Sequence, residues 1–170
     1  MFSPPNRIPP GPDQDSVWDY PRPPRLEDAT RRVRVVFNGV VIADSRQAKR
    51  VLETSHPPTY YLPPEDVQMQ YFQPVPRTTL CEWKGAATYF SIVVGDGPNQ
   101  RRADQAAWAY PQPTEAFQGI AHYIAVYPSR MEACYLDNEL VQSQPGDFYG
   151  GWVTSDIVGP FKGDPGTWGW

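Results

Sequence analysis

Hydrophobic and polar positions alternate with a period of two over several short stretches of this chain, the spacing that puts every second side chain on one face of a strand. The clearest stretch is Val33-Arg34-Val35-Val36-Phe37, followed by Asn38-Gly39 and then Val40-Val41-Ile42-Ala43. Asn and Gly both accept positive φ, so this pair between β-branched runs predicts a tight hairpin. Further strands are expected over 78–83, 88–94, 119–127 and 132–136, with turns at Gly95-Asp96-Gly97-Pro98 and Asp137-Asn138. Tyr60-Tyr61-Leu62 reads as an extended segment held between proline pairs. Within 119–127, Ile120, His122, Ile124 and Val126 fall on one face and Ala121, Tyr123, Ala125 and Tyr127 on the other, the pattern of a strand covered on both sides. The stretch Glu132 to Val141 repeats the form of the first hairpin. One helix is expected over 46–53, where Asp44-Ser45 offers a capping side chain ahead of good helix formers. The pattern as a whole is mainly β: a single compact domain of antiparallel sheets with one or two short helices.

Residues 1–32 follow a different rule. Pro4, Pro5, Pro9, Pro10, Pro12, Pro21, Pro23 and Pro24 remove backbone donors and fix φ, while apolar residues are few. Such a segment buries too little surface to offset its ordering entropy. It is expected to be a partly ordered N-terminal arm, with Val17, Trp18 and Tyr20 as the residues able to anchor it across a β domain formed by 33–170.

Composition narrows the chemistry. A chain of 170 residues is one domain by size and long enough to bury a core without disulfides. Aromatics at 14% make Trp, Tyr and Phe the natural core material. A formal net charge of −4 gives no overall field to attract a phosphate backbone, so nucleic acid is not an expected partner. Cys81 and Cys134 stand far apart, as do His56 and His122, and none has the short spacing of a zinc site, so no metal and no cofactor is expected. The longest apolar runs, such as Ser91-Ile92-Val93-Val94, are too short to span a bilayer, and no basic-then-apolar leader opens the sequence. The expectation is a cytoplasmic protein with reduced thiols and no membrane partner.

Several local motifs occur in one order: Val35-Val36-Phe37-Asn38-Gly39 with Ala43-Asp44-Ser45, Tyr60-Tyr61-Leu62-Pro63 with Glu65-Asp66-Val67, and Cys81-Glu82-Trp83-Lys84-Gly85-Ala86-Ala87-Thr88-Tyr89. They continue with Ala107-Trp108-Ala109-Tyr110-Pro111-Gln112-Pro113, then 120–127, and then Tyr149-Gly150-Gly151-Trp152-Val153-Thr154. Together, from about Val33 to the end, they resemble the family known as domain of unknown function 427, sometimes called nucleotidyltransferase-like. The resemblance implies a β-tent-like fold, two sheets meeting at an angle, shared with some zinc proteins and methionine sulfoxide reductases. Two positions depart from it: Glu82 stands where members often have Pro, and His122 where they often have Gly. Nucleotidyl transfer needs paired carboxylates for metal ions beside a phosphate-cradling loop, and that set is not legible in this chain.

The candidate chemistry centres on Trp83-Lys84-Gly85, with Trp108 and Tyr110 further on. An ammonium beside large aromatic faces suits an anionic or planar ligand. On strict strand alternation, however, Cys81 and Trp83 are core while Glu82 and Lys84 face water. Of the three lysines, Lys84 and Lys162 each follow an aromatic and precede Gly, so Lys162 joins the candidate ligand-binding set of Trp83, Lys84, Trp108 and Tyr110. Gly159 to Thr167 is not a phosphate loop, because Pro160 and Pro165 delete the donors such a loop needs. Three functions remain open. The leading one is a module that binds a small molecule or modified group, its identity unknown, in an aromatic pocket with a lysine. The others are a thiol- or lysine-dependent enzyme, with Lys84 lowering the pKa of Cys81, and a protein-interaction scaffold using the arm. No catalytic residue is assigned.

Overall fold

The computed structural model describes residues 6–146 and 148–170, so Pro4 and Pro5 of the arm lie outside the described residues. The strands, in chain order, are β1 Asp15–Ser16, β2 Arg25–Asp28, β3 Val33–Phe37, β4 Val40–Ser45, β5 Lys49–Leu52, β6 Thr59–Tyr61, β7 Phe72–Cys81 and β8 Gly85–Val94. They continue as β9 Arg101–Ala109, β10 Ala125–Val126, β11 Ala133–Leu136, β12 Glu139–Leu140, β13 Gln142–Ser143, β14 Trp152–Val153 and β15 Ile157–Val158. Two four-stranded antiparallel sheets dominate, ordered β12-β11-β3-β4 and β10-β9-β8-β7. Smaller sheets pair β2-β5-β6, β13-β14 and, in parallel, β1-β15. The domain is compact and mainly β, and the helical turns among the described residues are short 3₁₀ segments.

The first hairpin forms as its sequence predicts: Asn38 and Gly39 take φ of 49° and 74°, and Phe37 pairs with Val40. Alternation then buries Val33, Val35 and Phe37 against Ile42, Ile92, Val126 and Leu136, making one aliphatic core between the two large sheets. A second cluster is aromatic. Tyr61, Tyr89, Trp108, Tyr110 and Phe117 gather with Ile120 beside the β7–β10 sheet.

Three sequence expectations give way to tertiary context. The helix expected over 46–53 is instead the strand β5, because Val51 and Leu52 are buried and the segment hydrogen-bonds to β2 on one side and β6 on the other. A local capping signal is worth about 1 kcal/mol, less than two sheet edges and a buried face. The strand expected over 119–127 shrinks to Ala125–Val126; Glu115–Ile120 is a 3₁₀ turn and His122 sits at φ 65°. Conversely β9, with its polar opening Arg101-Arg102-Ala103-Asp104-Gln105, is a full central strand that no alternation announced.

The arm is tied into this body where it is described. Val17, Trp18 and Tyr20 are buried with Leu52 and Ile157 in a third cluster, β1 pairs with β15, and β2 is an edge of the β5 sheet. Among the described residues no helix is long and apolar enough to cross a membrane.

Candidate functional site

Strand β7 turns into β8 through a three-residue loop, Glu82-Trp83-Lys84, closed by the pairing of Cys81 with Gly85. Gly85 takes φ 108°, a conformation that any Cβ would strain. The loop is pinned from outside: Thr114 Oγ1 donates to the Trp83 carbonyl at 2.7 Å, and Thr114 N–H donates to the Lys84 carbonyl at 3.0 Å. This aims Lys84 inward, its Nζ 5.9 Å from the Tyr110 ring centre and 6.0 Å from that of Phe117.

The facing wall comes from the C-terminal strap, residues 148–170. Gly150 lies flat on Trp108, where a Cβ would come within 2.4 Å of the indole. Lys162 Nζ sits 5.7 Å from the Tyr149 ring centre. Its backbone is fixed at both atoms, N–H donating to the Ser55 carbonyl at 2.9 Å and C=O accepting from Gln144 Nε2 at 2.7 Å. Between the strap and the β7–β9 face lies an open cleft of about 850 Å³, whose lining includes Lys84, Lys162, Trp108, Tyr110, His56 and Cys81.

Gln144 is the organiser of this wall. Buried, it spends every polar atom: Oε1 accepts from Gly151 N–H at 3.2 Å, and Nε2 donates to the Lys162 carbonyl and to His56 Nδ1 at 3.1 Å. Because Nδ1 faces a donor it must accept, so the imidazole is neutral and carries its proton on Nε2. That Nε2 points to Glu53, 3.6 Å away. Burial, outweighing Glu53 and assisted by Lys162, Arg22 and Lys84, lowers the His56 pKa to about 4. Burial likewise pushes the phenols of Tyr61 and Tyr110 up, and that of Tyr127 to about 12. The aromatic wall is therefore uncharged at neutral pH.

The charge of the cleft differs from that of the chain. Among the described residues its lining holds Lys84, Lys162, Arg77 and Arg130 against two carboxylates, Glu53 and Asp104. Each carboxylate is already engaged by an arginine outside the lining: Glu53 by Arg22 at 3.2 Å and Asp104 by Arg102 at 2.5 Å. A protein of formal charge −4 thus presents a cationic, aromatic cleft.

The sequence candidates divide. Lys84, Lys162, Trp108 and Tyr110 all line this cleft, although the first and second lysines are 78 positions apart, 162 − 84. Trp83 does not; half-buried, it packs on the outside of the aromatic cluster. Cys81 lines the cleft, whereas Cys134 is buried in the aliphatic core, which pushes its thiol pKa up. His56, Glu53 and Gln144 escaped the sequence reading. Glu53 and His56 stand three residues apart in one turn, but the Gln144 contact that completes the group spans 88 positions. Among the described residues no group of three or more His, Cys, Asp or Glu side chains is arranged to hold a metal ion.

The chain belongs to the family described as a domain of unknown function, DUF427, whose profile matches residues 25–137, well over half of the sequence. The match takes in Lys84, Trp108 and Tyr110 and stops short of the strap that carries Lys162. No curated protein matches the chain.

Proposed function

We propose that this member of the unknown-function family is a binding module for a planar, anionic small molecule held in the cleft between the β7–β9 face and the strap. The observation that carries the reading is the convergence of two lysines over aromatic rings in one cleft whose carboxylates are already neutralised. An anion there meets charge-assisted donors without competing acceptors, and an aromatic body meets Trp108 and Tyr110. The phenols of Tyr61, Tyr110 and Tyr127 and the imidazole of His56 stay neutral, so the cationic character rests on the lysines and arginines.

The test is a melting-temperature screen against aromatic carboxylates and phosphates, since a ligand that binds only the folded form must raise the midpoint. A hit is then titrated against Lys84→Met and Lys49→Met. Loss of one charged hydrogen bond, about 1.5–3 kcal/mol, lowers affinity roughly tenfold to a hundredfold for Lys84→Met. Lys49, on β5, pairs with Asp28 of β2 and does not line the cleft, so its variant should bind as wild type does. Equal affinities for the two variants would reject the reading.

One observation favours a second reading, a thiol-dependent enzyme: Cys81 lines the same cleft as Lys84. It requires that Cys81 react with iodoacetamide faster than Cys134 and that a bound ligand protect it. Labelling of Cys81 that is indifferent to ligand leaves only the binding module.

A further inference from the structure

Resting on the binding reading above, we propose that the ligand of the cleft is elongated and carries an anionic group at each of its two ends. Lys84 and Lys162 supply one end. The other is supplied by Arg77 and Arg130, which line the same cleft beside Tyr89 and Tyr127.

Strand register fixes the layout. Cys81 pairs with Gly85 at the Lys84 end of the hairpin and Thr78 with Thr88, three residues or roughly 10 Å along β7, and Arg77 follows in the bulge between Thr78 and Val75. Between the ends the floor is uncharged: Thr79 Oγ1 and Tyr89 Oη share a hydrogen bond at 2.8 Å, and Tyr89 is the cross-strand partner of Trp108. Arg77 is not swinging free at its end. Its guanidinium lies 4.2 Å over the Tyr89 ring centre and spends one N–H on Gln105 Oε1 at 2.8 Å, which leaves further donors of its planar fork.

The two cationic groups have different neighbours: His56 has Lys162, Arg22 and Lys84 beside it, whereas Tyr127, its ring tilted against Trp108 at 4.6 Å, has Arg77 and Arg130. Asp104, the carboxylate nearest the arginine end, is tied to Arg102. Size points the same way. The cleft of about 850 Å³ stands in the upper part of the range of roughly 300–1,000 Å³ that holds drug-sized ligands, far more than a single-ring acid fills.

The experiment uses two probes on the full chain: a biphenyl bearing a carboxylate at both ends and the same biphenyl bearing one. Calorimetric titration should give the two-ended probe a preference of about tenfold or more in the wild type, one added charge-assisted contact. Replacing both exposed arginines, Arg77→Met with Arg130→Met, should abolish that preference. Lys84→Met should weaken both probes about tenfold. Equal wild-type affinity for the two probes, or a preference that survives loss of both arginines, overturns the two-ended ligand while the Lys84 dependence of the one-ended probe keeps the binding module. Failure of both probes to bind, or affinities that ignore Lys84→Met, overturns the module and this inference with it.

Discussion

Two lysines reach one cleft from turns of like sequence, Trp83-Lys84-Gly85 and Phe161-Lys162-Gly163, yet the turns are held in opposite ways. The first is local: a hairpin loop closed by its own strand register and clamped by Thr114, all inside the family match. The second is long-range. Lys162 hangs on Ser55 and Gln144, and its neighbour Pro160 accepts from the Trp18 indole at 2.9 Å, while Phe161 and Trp170 pack on the arm's buried cluster. An aromatic-Lys-Gly string therefore specifies no geometry by itself. What places each ammonium is the set of partners around the turn, and one half of the cleft depends on the chain termini meeting.

The strongest way to break this comparison is at Trp18. It is buried, donates to Pro160 and meets the edge of Trp170 at 5.3 Å between ring centres. Trp18→Ala should cost about 3–5 kcal/mol, the usual range for a buried Trp. Hydrogen exchange is the informative measurement. Protection should fall first over 157–170 and persist in β8 and β9, because Ile157, Phe161 and Trp170 pack on the arm's cluster around Trp18 and not on the large sheets. Uniform loss across both regions would mean that strap and sheet are one cooperative unit.

The same contrast explains what the sequence reveals and what it hides. The hairpin at Asn38-Gly39 and the strands around Ile92 and Cys134 are legible because their information is local, a turn pair and a period of two. The segment 46–53 carries equally local helix signals, yet β2 and β6 impose a strand on it. His122 holds a left-handed φ of 65°, which breaks the period of two that its neighbours suggest. In the cleft, Lys84 is legible from its aromatic-Lys-Gly turn, with Trp108 and Tyr110 further along, whereas Gln144 joins the local pair Glu53 and His56 only through a contact that spans 88 positions.

Acid probes the strap side selectively. The folded imidazole of His56 titrates near 4 against an ordinary 6.5, so between those values the unfolded chain binds a proton that the fold refuses. Stability is full above pH 6.5 and falls as pH drops toward 4, by about 3 kcal/mol in total. Burial is the main cause; in addition a proton on Nδ1 would face the Gln144 N–H, and Gln144 also holds Lys162. Asp44, Asp104 and Asp137, all lowered by arginine or backbone donors, lose their contribution only below their ordinary 3.8, outside this window. Denaturant melts at a series of pH values should show the slope in the wild type and a nearly flat line in His56→Gln. A slope of equal size in the variant would place the acid sensitivity elsewhere.

The smallest effect compares the two turn glycines directly. A Cβ on Gly163 would stand 1.8 Å from the Pro145 carbonyl oxygen, a backbone atom that cannot rotate away, at φ 140°. Gly163→Ala therefore has to displace the strap, an overpacking change of about 2 kcal/mol. On Gly85 the nearest atom would be the Gln112 carbonyl oxygen at 3.4 Å, ordinary contact, so Gly85→Ala bears only the left-handed φ of 108°, about 1 kcal/mol. For a chain of this size the latter lowers the melting temperature by about 3 °C. The ordering is the point, because it measures which lysine is more firmly mounted. Gly163→Ala should also weaken the two-ended probe through Lys162, while Gly85→Ala, whose turn stays clamped by Thr114, should bind it nearly as well as wild type. If Gly163→Ala proves the milder of the two, the strap yields at Pro145, and the ammonium of Lys162 is carried on a wall that moves rather than one built to meet a ligand.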